Sequence, residues 1–248
     1  MDAIELSKAR LKELAKLKQK KYREVEQRVV VEGKRTIMQL LDMGVKPLEI
    51  YIAEGTETPV TDPNVPVYIL NQHDLTRLCD TIHPQTIAAL YDIPQGGSFD
   101  FHVAFYLDGI NDPGNLGTIF RVASAFGIDG IMLSPDCCEA MSPKTIRASL
   151  GAVFQVPWAI VSHHELRSNS AGLVYADMHG KTAMQDFRVP QEGALILAIG
   201  SEAQGLSQEI KALAIHSLRI GMKSGMESLN AAVAAGIIAH HIWQQINS

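Results

Sequence analysis

The sequence predicts a two-part α/β protein, a small α/β domain followed by a larger one built on an open parallel sheet, and three observations predict it. Strand-like and helix-like segments alternate along most of the chain, as they do when helices cover a sheet. Beyond residue 100 the strand-like segments become near-continuous apolar runs, FHVAFYLDG, IDGIMLSP, VPWAIV, GLVYADM, ALILAIG and SLRIG, which suit strands buried on both faces. Between the two regions lies PQGGS, Pro94 to Ser98, whose breakers mark a linker. The expected domains are residues 1–95 and 99–248.

Residues 4–21 read as one amphipathic helix with Ile4, Leu11, Leu14 and Ala15 on one side, although Leu6 and Leu17 fall off that face. QRVVVEGK then reads as a strand entering a turn, and TIMQLLDMG as a helix stopped by Gly44. LEIYIAEG is a second strand, PVYILNQHDLTRLCD a strand and a helix, and TIAALYDIP a closing strand. In the second domain, helices fall at LGTIFRVASAFG, TIRASLGAVF and LSQEIKALA, and a long small-residue helix ends the chain. In that last helix Leu229, Ala232, Val233, Gly236 and Ile237 recur at three- and four-residue steps, so one face is buried, and Ser228 stands where an N-cap is expected.

The net charge of −5 hides an asymmetry. Residues 1–35 hold 11 Lys and Arg against 6 Asp and Glu, and the other 213 residues hold 11 against 21. A basic arm on a mildly acidic body is an electrostatic footprint for phosphates, and equally the mark of a solvated charged helix. Cys79, Cys137 and Cys138 show no CxxC spacing and read as reduced structural thiols. Nine histidines form no HExxH or Cys/His cluster, so no metal is expected. With no long apolar run, neither a membrane span nor a signal peptide is expected, and a cytoplasmic location follows as the expectation.

In an open parallel sheet the ligand belongs at the carboxyl ends of the strands. Three loops at such ends are rich in Gly and small polar residues. Asp108–Arg121 (DGINDPGNLGTIFR) places Gly114 and Gly117 in the turn, Asn115 as a cap for the following helix, and Arg121 one turn beyond Gly117. GSEAQGLS holds Glu202 between Gly200 and Gly205. The third loop carries Ser228, Leu229 and Asn230. No GxGxxG, GxxxxGK[ST] or GxSxG is present, which disfavours dinucleotide, ATP and α/β-hydrolase readings. Taken singly, Arg121 reads equally well as a structural ion-pair partner and Glu202 as a turn cap; their company at strand ends points to a site.

NDPGNLGTIFRVASAFG, IGSEAQGLS and IGMKSGMESLNAAVAAGIIAH resemble the three motifs of the SpoU or TrmH family of RNA 2′-O-ribose methyltransferases, within the SPOUT class. KTIRASLGAVFQVPW is similar to a further segment of those proteins, and KKYREVEQRVVVEGKRTI resembles the L30e-like RNA-binding domain that many carry ahead of the catalytic one. The chain departs from the pattern at Gly221, where most relatives have Pro. The resemblance implies a C-terminal deep trefoil knot, a homodimer, and S-adenosylmethionine held by Gly200, Ile220 and Leu229. It implies catalytic roles for Arg121, Asn115, Glu202, Ser228 and Asn230, with Arg121 at the ribose 2′-hydroxyl, acting within one chain or across the dimer. RNA phosphates would meet Lys20, Lys21, Arg23, Lys34 and Arg35 of the N-terminal domain.

Ribosomal RNA is the expected substrate, with transfer RNA as the alternative. Two rivals stay open: a non-catalytic RNA-binding or ribosome-assembly factor on the same fold, and a small-molecule enzyme on an ordinary doubly wound sheet. Intact Asn115, Arg121, Glu202, Ser228 and Asn230 speak against the first, and binding of S-adenosylmethionine discriminates the second.

Overall fold

The computed structural model describes residues 4–60, 62–81, 85–201, 204–223 and 228–247. In chain order the elements are β1 (Ile4–Glu5), α1 (Lys8–Lys16), α2 (Lys20–Glu26), β2 (Arg28–Glu32), α3 (Lys34–Asp42), β3 (Glu49–Ala53), β4 (Val67–Leu70), α4 (Gln72–Leu78) and β5 (Ile87–Asp92). They continue as β6 (Val103–Asp108), α5 (Pro113–Phe126), β7 (Gly130–Leu133), α6 (Pro143–Ser149), β8 (Trp158–Ile160), α7 (His163–Arg167) and β9 (Gly172–Ala176). The last are β10 (Thr182–Ala183), β11 (Leu195–Gly200), α8 (Gln208–Leu213), β12 (His216–Arg219) and α9 (Ala231–Ile246). Packing groups them into two units, residues 1–95 with 139–154, and residues 96–138 with 155–248.

The chain leaves the first unit inside PQGGS, but the stretch 139–154, expected within one continuous second domain, packs with the first unit. Its helix α6 lies on β2, where Arg147 pairs with Glu32 at 2.6 Å, and Phe154 meets Tyr91 edge-on at 5.6 Å. The first unit is a mixed five-stranded sheet ordered β1-β4-β3-β5-β2, with β5 antiparallel to both neighbours.

The helix expected over residues 4–21 is instead a short strand and two helices. Ser7 caps α1 by accepting from the Arg10 N–H at 3.2 Å, and the chain turns at Leu17, whose N–H returns to the Leu14 carbonyl at 3.0 Å. Leu17 lies in the core with Leu11 and Leu14, at the three-residue spacing that one helix face provides. Arg23 also departs from its expected role as a phosphate contact. It is only 3% exposed, forms a two-pronged pair with Glu139, and donates to the Leu17 and Lys18 carbonyls at 2.7 Å each. It staples the α1–α2 turn to the 139–154 stretch.

The second unit is a seven-stranded, fully parallel sheet ordered β10-β12-β9-β11-β6-β7-β8. The chain enters at β6, runs outward through β7 and β8, and returns at β9; β11 then fills the place between β6 and β9. Strand order therefore reverses beside β6, and a crevice opens at the carboxyl edge there. Ala104 and Tyr106 pack with Leu166, Leu206 and Ile210 on the face covered by α7 and α8. Alternation turns Phe105 and Leu107 to the other face, where α5 and α9 pack on each other.

Arg23→Ala should lower the unfolding free energy by about 3 kcal/mol, because it strands the Glu139 carboxylate and two backbone carbonyls. Urea denaturation reads the loss, and the salt dependence of RNA binding should stay at the wild-type slope, since this arginine is buried and four of its five N–H donors are engaged.

Candidate functional site

Four strand ends meet at the carboxyl edge of the parallel sheet. Register sets Gly200 opposite Asp108 across β11 and β6, and Leu218 opposite Ala176 across β12 and β9. Between the segments that follow β9, β11 and β12 and the start of α9 lies a pocket of about 360 Å³. Gly200, Ile220, Ser228 and Leu229, all singled out from sequence, line it, and Ile199 and Leu206 add to its apolar wall.

The wall turns sharply after β11. The Gly205 N–H donates to the Ser201 carbonyl at 2.8 Å, and Gly205 sits at φ +66°, a left-handed conformation that glycine adopts without strain. A Cβ on Gly200 would stand 2.2 Å from the Gly205 carbonyl carbon, so the close backbone approach excludes any side chain. Gly221 differs. A Cβ there meets nothing within 4 Å and its φ is not positive, so this departure from the family pattern answers no backbone demand.

Two carboxylates hold the loops. Asp108, nearly buried at the end of β6, accepts from the Ser207 N–H at 2.8 Å and faces the His163 ring nitrogen at 3.1 Å. Asp177, on the pocket wall after β9, accepts from the His179 N–H at 2.9 Å and from Lys211 of α8 at 3.0 Å. Burial pushes the Asp177 carboxyl upward, but these donors and the Lys211 charge outweigh it and hold it below the ordinary value of 3.8. Neither carboxylate was singled out from sequence, yet each leaves the same signal: an Asp closing an apolar parallel strand, FYLD and VYAD.

The helix caps also shift. Asn230, not Ser228, caps α9, its Oδ1 accepting from the Ala232 and Val233 N–H groups at 3.0 and 3.3 Å. Asp112, not Asn115, caps α5, accepting from the Asn115 N–H at 2.9 Å. Each true cap lies where helical dihedrals begin, and neighbouring Ser and Asn residues make that point ambiguous in sequence. The shift brings Asn115 and Asn230 together: the Asn230 Nδ2 donates to the Asn115 Oδ1 at 3.0 Å. Arg121 stands exposed on α5 and makes no hydrogen bond or ion pair among the described residues. Glu202 lies outside the described residues.

Residues 102–240 match the family model described as SpoU rRNA Methylase family. The chain belongs to that family. Residues 8–89 match a model described as MRM3-like substrate binding domain. A Bacillus subtilis relative named 23S rRNA (guanosine(2553)-2′-O)-methyltransferase RlmP is 27% identical, over 98% of this chain and 99% of its own length. A TrmH-family structure from Porphyromonas gingivalis superposes with TM-score 0.82 at 29% identity, covering 99% of this chain and 100% of that one. An AdoMet-bound rRNA methyltransferase structure from Sinorhizobium meliloti gives TM-score 0.78 at 25% identity, covering 97% and 96%. The chain is thus an RNA methyltransferase of the SpoU/TrmH family on an α/β fold with a seven-stranded parallel sheet.

Loss of the cap in Asn230→Ala should cost about 1 kcal/mol in urea denaturation, whereas Asn230→Asp keeps the cap oxygen but loses the donor to Asn115 and should recover only part of that stability. Asp177 adds an acid limb. A carboxyl held below 3.8 stabilises the fold above that pH and ceases to as pH falls through its lowered value, so Asp177→Asn should be less stable than wild type at neutral pH. Thermal unfolding between about pH 7 and pH 3 should show that gap closing at the acid end.

Proposed function

We propose that this protein methylates ribose 2′-hydroxyls of RNA, with ribosomal RNA as substrate and S-adenosylmethionine as methyl donor. The observation that carries the reading is the carboxyl-edge pocket, which joins Gly200, Ile220 and Leu229 in one wall beside the Asn115–Asn230 contact. The pocket suits the cofactor: apolar Ile220, Leu229 and Leu206 match an adenine face, and the bare backbone at Gly200 admits close approach. Bound there, S-adenosylmethionine supplies a methyl group already activated on a sulfonium. The 2′-hydroxyl target and the ribosomal substrate are supported by the name of the Bacillus subtilis relative.

The residues must align the hydroxyl and help it lose a proton, and alignment alone can supply much of the rate. Arg121 keeps its proton, since guanidinium does not release one in proteins. Its exposed fork instead grips phosphate and hydroxyl oxygens and steadies the developing alkoxide, while the proton leaves to water or a neighbouring group. The Asn115–Asn230 bond fixes the start of α9 against the start of α5, the helix that carries Arg121. Ser228 orders the loop at the pocket mouth, and a role for Glu202 rests on the family resemblance alone.

The rest of the reading concerns assembly. The end of the chain threads as a deep trefoil knot, the first unit is an L30e-like RNA-binding domain, and exposed Lys20, Lys21, Lys34 and Arg35 meet phosphates. A homodimer would cover the exposed stripe on α9 that includes Val233 and Trp243. Ala231, Ala232 and Ala235 are buried within the chain itself and play no part in that contact.

Labelled methyl transfer to unmodified total RNA, followed by digestion to nucleosides, tests the reading. Label should appear in 2′-O-methyl nucleosides of ribosomal RNA, and Arg121→Ala should lower turnover by about 100-fold with cofactor binding intact. Near-normal turnover in Arg121→Ala would refute its role. Label in transfer RNA would move the substrate, and cofactor binding without label would indicate a factor that has lost its chemistry.

A further inference from the structure

The first unit holds a second cavity, of about 440 Å³, between α1, α2 and the sheet. Its floor is apolar, from Leu14, Leu17 and Leu90, and its edge carries Val25, which is 78% exposed although it is a large aliphatic side chain. Tyr22 forms one wall. The ammonium groups of Lys16 and Lys21 stand 5.5 and 4.8 Å from its ring centroid, and neither lysine has an ion pair among the described residues. Arg10 and Arg28 are already engaged, Arg10 with Glu49 and with Glu13 at 3.5 Å, and Arg28 with Asp92. Glu13 and Glu26 complete the rim.

Each feature narrows the ligand. Two ammonium groups without ion pairs lining one cavity call for an anion, and an apolar floor with an exposed valine calls for a flat, hydrophobic body. The two carboxylates repel a bare anion and accept hydrogen bonds, so the ligand must also bring donors. A phosphate joined to an aromatic base and a hydroxylated sugar satisfies all three demands.

We propose that this cavity binds one unpaired ribonucleotide of the RNA substrate. The base enters over Val25 and the leucine floor, its phosphate meets Lys16 and Lys21, and Glu13 or Glu26 accepts from a base N–H or a ribose hydroxyl. The site would let the first unit distinguish a looped-out nucleotide from a continuous duplex, whose bases are stacked and closed to it. Its ligand class rests on the reading of RNA as substrate.

Filter binding of a short unstructured RNA to the full-length protein, over a range of salt, tests it. Val25→Glu places a carboxylate at an exposed position on the cavity edge, and should weaken binding about tenfold or more, the scale of one lost base contact. Lys16→Gln combined with Lys21→Gln should weaken it too and flatten the salt slope by about 0.7, the value for one phosphate contact on a single strand. Thermal unfolding checks that each variant is folded. Wild type that binds RNA while both variants bind it equally well overturns the cavity and leaves the RNA reading standing. Wild type that binds no RNA at any salt overturns both.

Discussion

At the end of β11 the backbone of Gly200 comes so close to that of Gly205 that no side chain fits between them, and the candidate site hangs on that contact. β11 is the strand inserted between β6 and β9, so its last residue lies at the point where strand order reverses. Beyond that turn Leu206 packs on the face covered by α7 and α8, and Leu206 and Ile199 both line the pocket. Asp108, from the neighbouring β6, then catches the Ser207 N–H and fixes where α8 begins. From α8, Lys211 reaches Asp177 beyond β9. Three adjacent strands are thus tied through one loop and one short helix, and the pocket is the space that this circuit encloses.

A second tie works across the helices. The cap that Asn230 gives α9 and its bond to Asn115 set the start of one helix against the start of the other. Arg121 lies on the second of these helices with no hydrogen bond or ion pair among the described residues, in contrast to Arg23, which is buried and paired with Glu139. An arginine whose charge is consumed by structure can staple but not bind, and an exposed one with no partner can bind at little cost in stability. The same contrast separates Lys16 and Lys21 from Arg10 in the first unit, where the lysines hold free charge over Tyr22 and the arginine is paired.

Much of this was legible in the sequence, and the reasons differ by element. The strands β2 to β9, β11 and β12 declare themselves because apolar runs bounded by Gly, Pro and Asp have few other uses. Gly200, Ile220 and Leu229 came from the resemblance of the loops carrying them to the family's motifs, and all three line the pocket. The break at Leu17 was not legible, since helix propensity continues through it and no Gly or Pro marks it. Nor was the burial of Arg23, whose partner Glu139 lies 116 residues away. The insertion of β11 between β6 and β9 escapes periodicity altogether, because no local pattern encodes strand order. Asp108 and Asp177 were legible in principle, as acids closing apolar strands.

The most direct test of the account is equilibrium binding of S-adenosylmethionine to the RNA-free protein, wild type and Gly200→Ala. The account predicts a saturable site in the wild type and its loss in a variant that remains folded by circular dichroism, because one methyl group fills the close approach at the end of β11. A folded Gly200→Ala protein that binds the cofactor as tightly as wild type would contradict it.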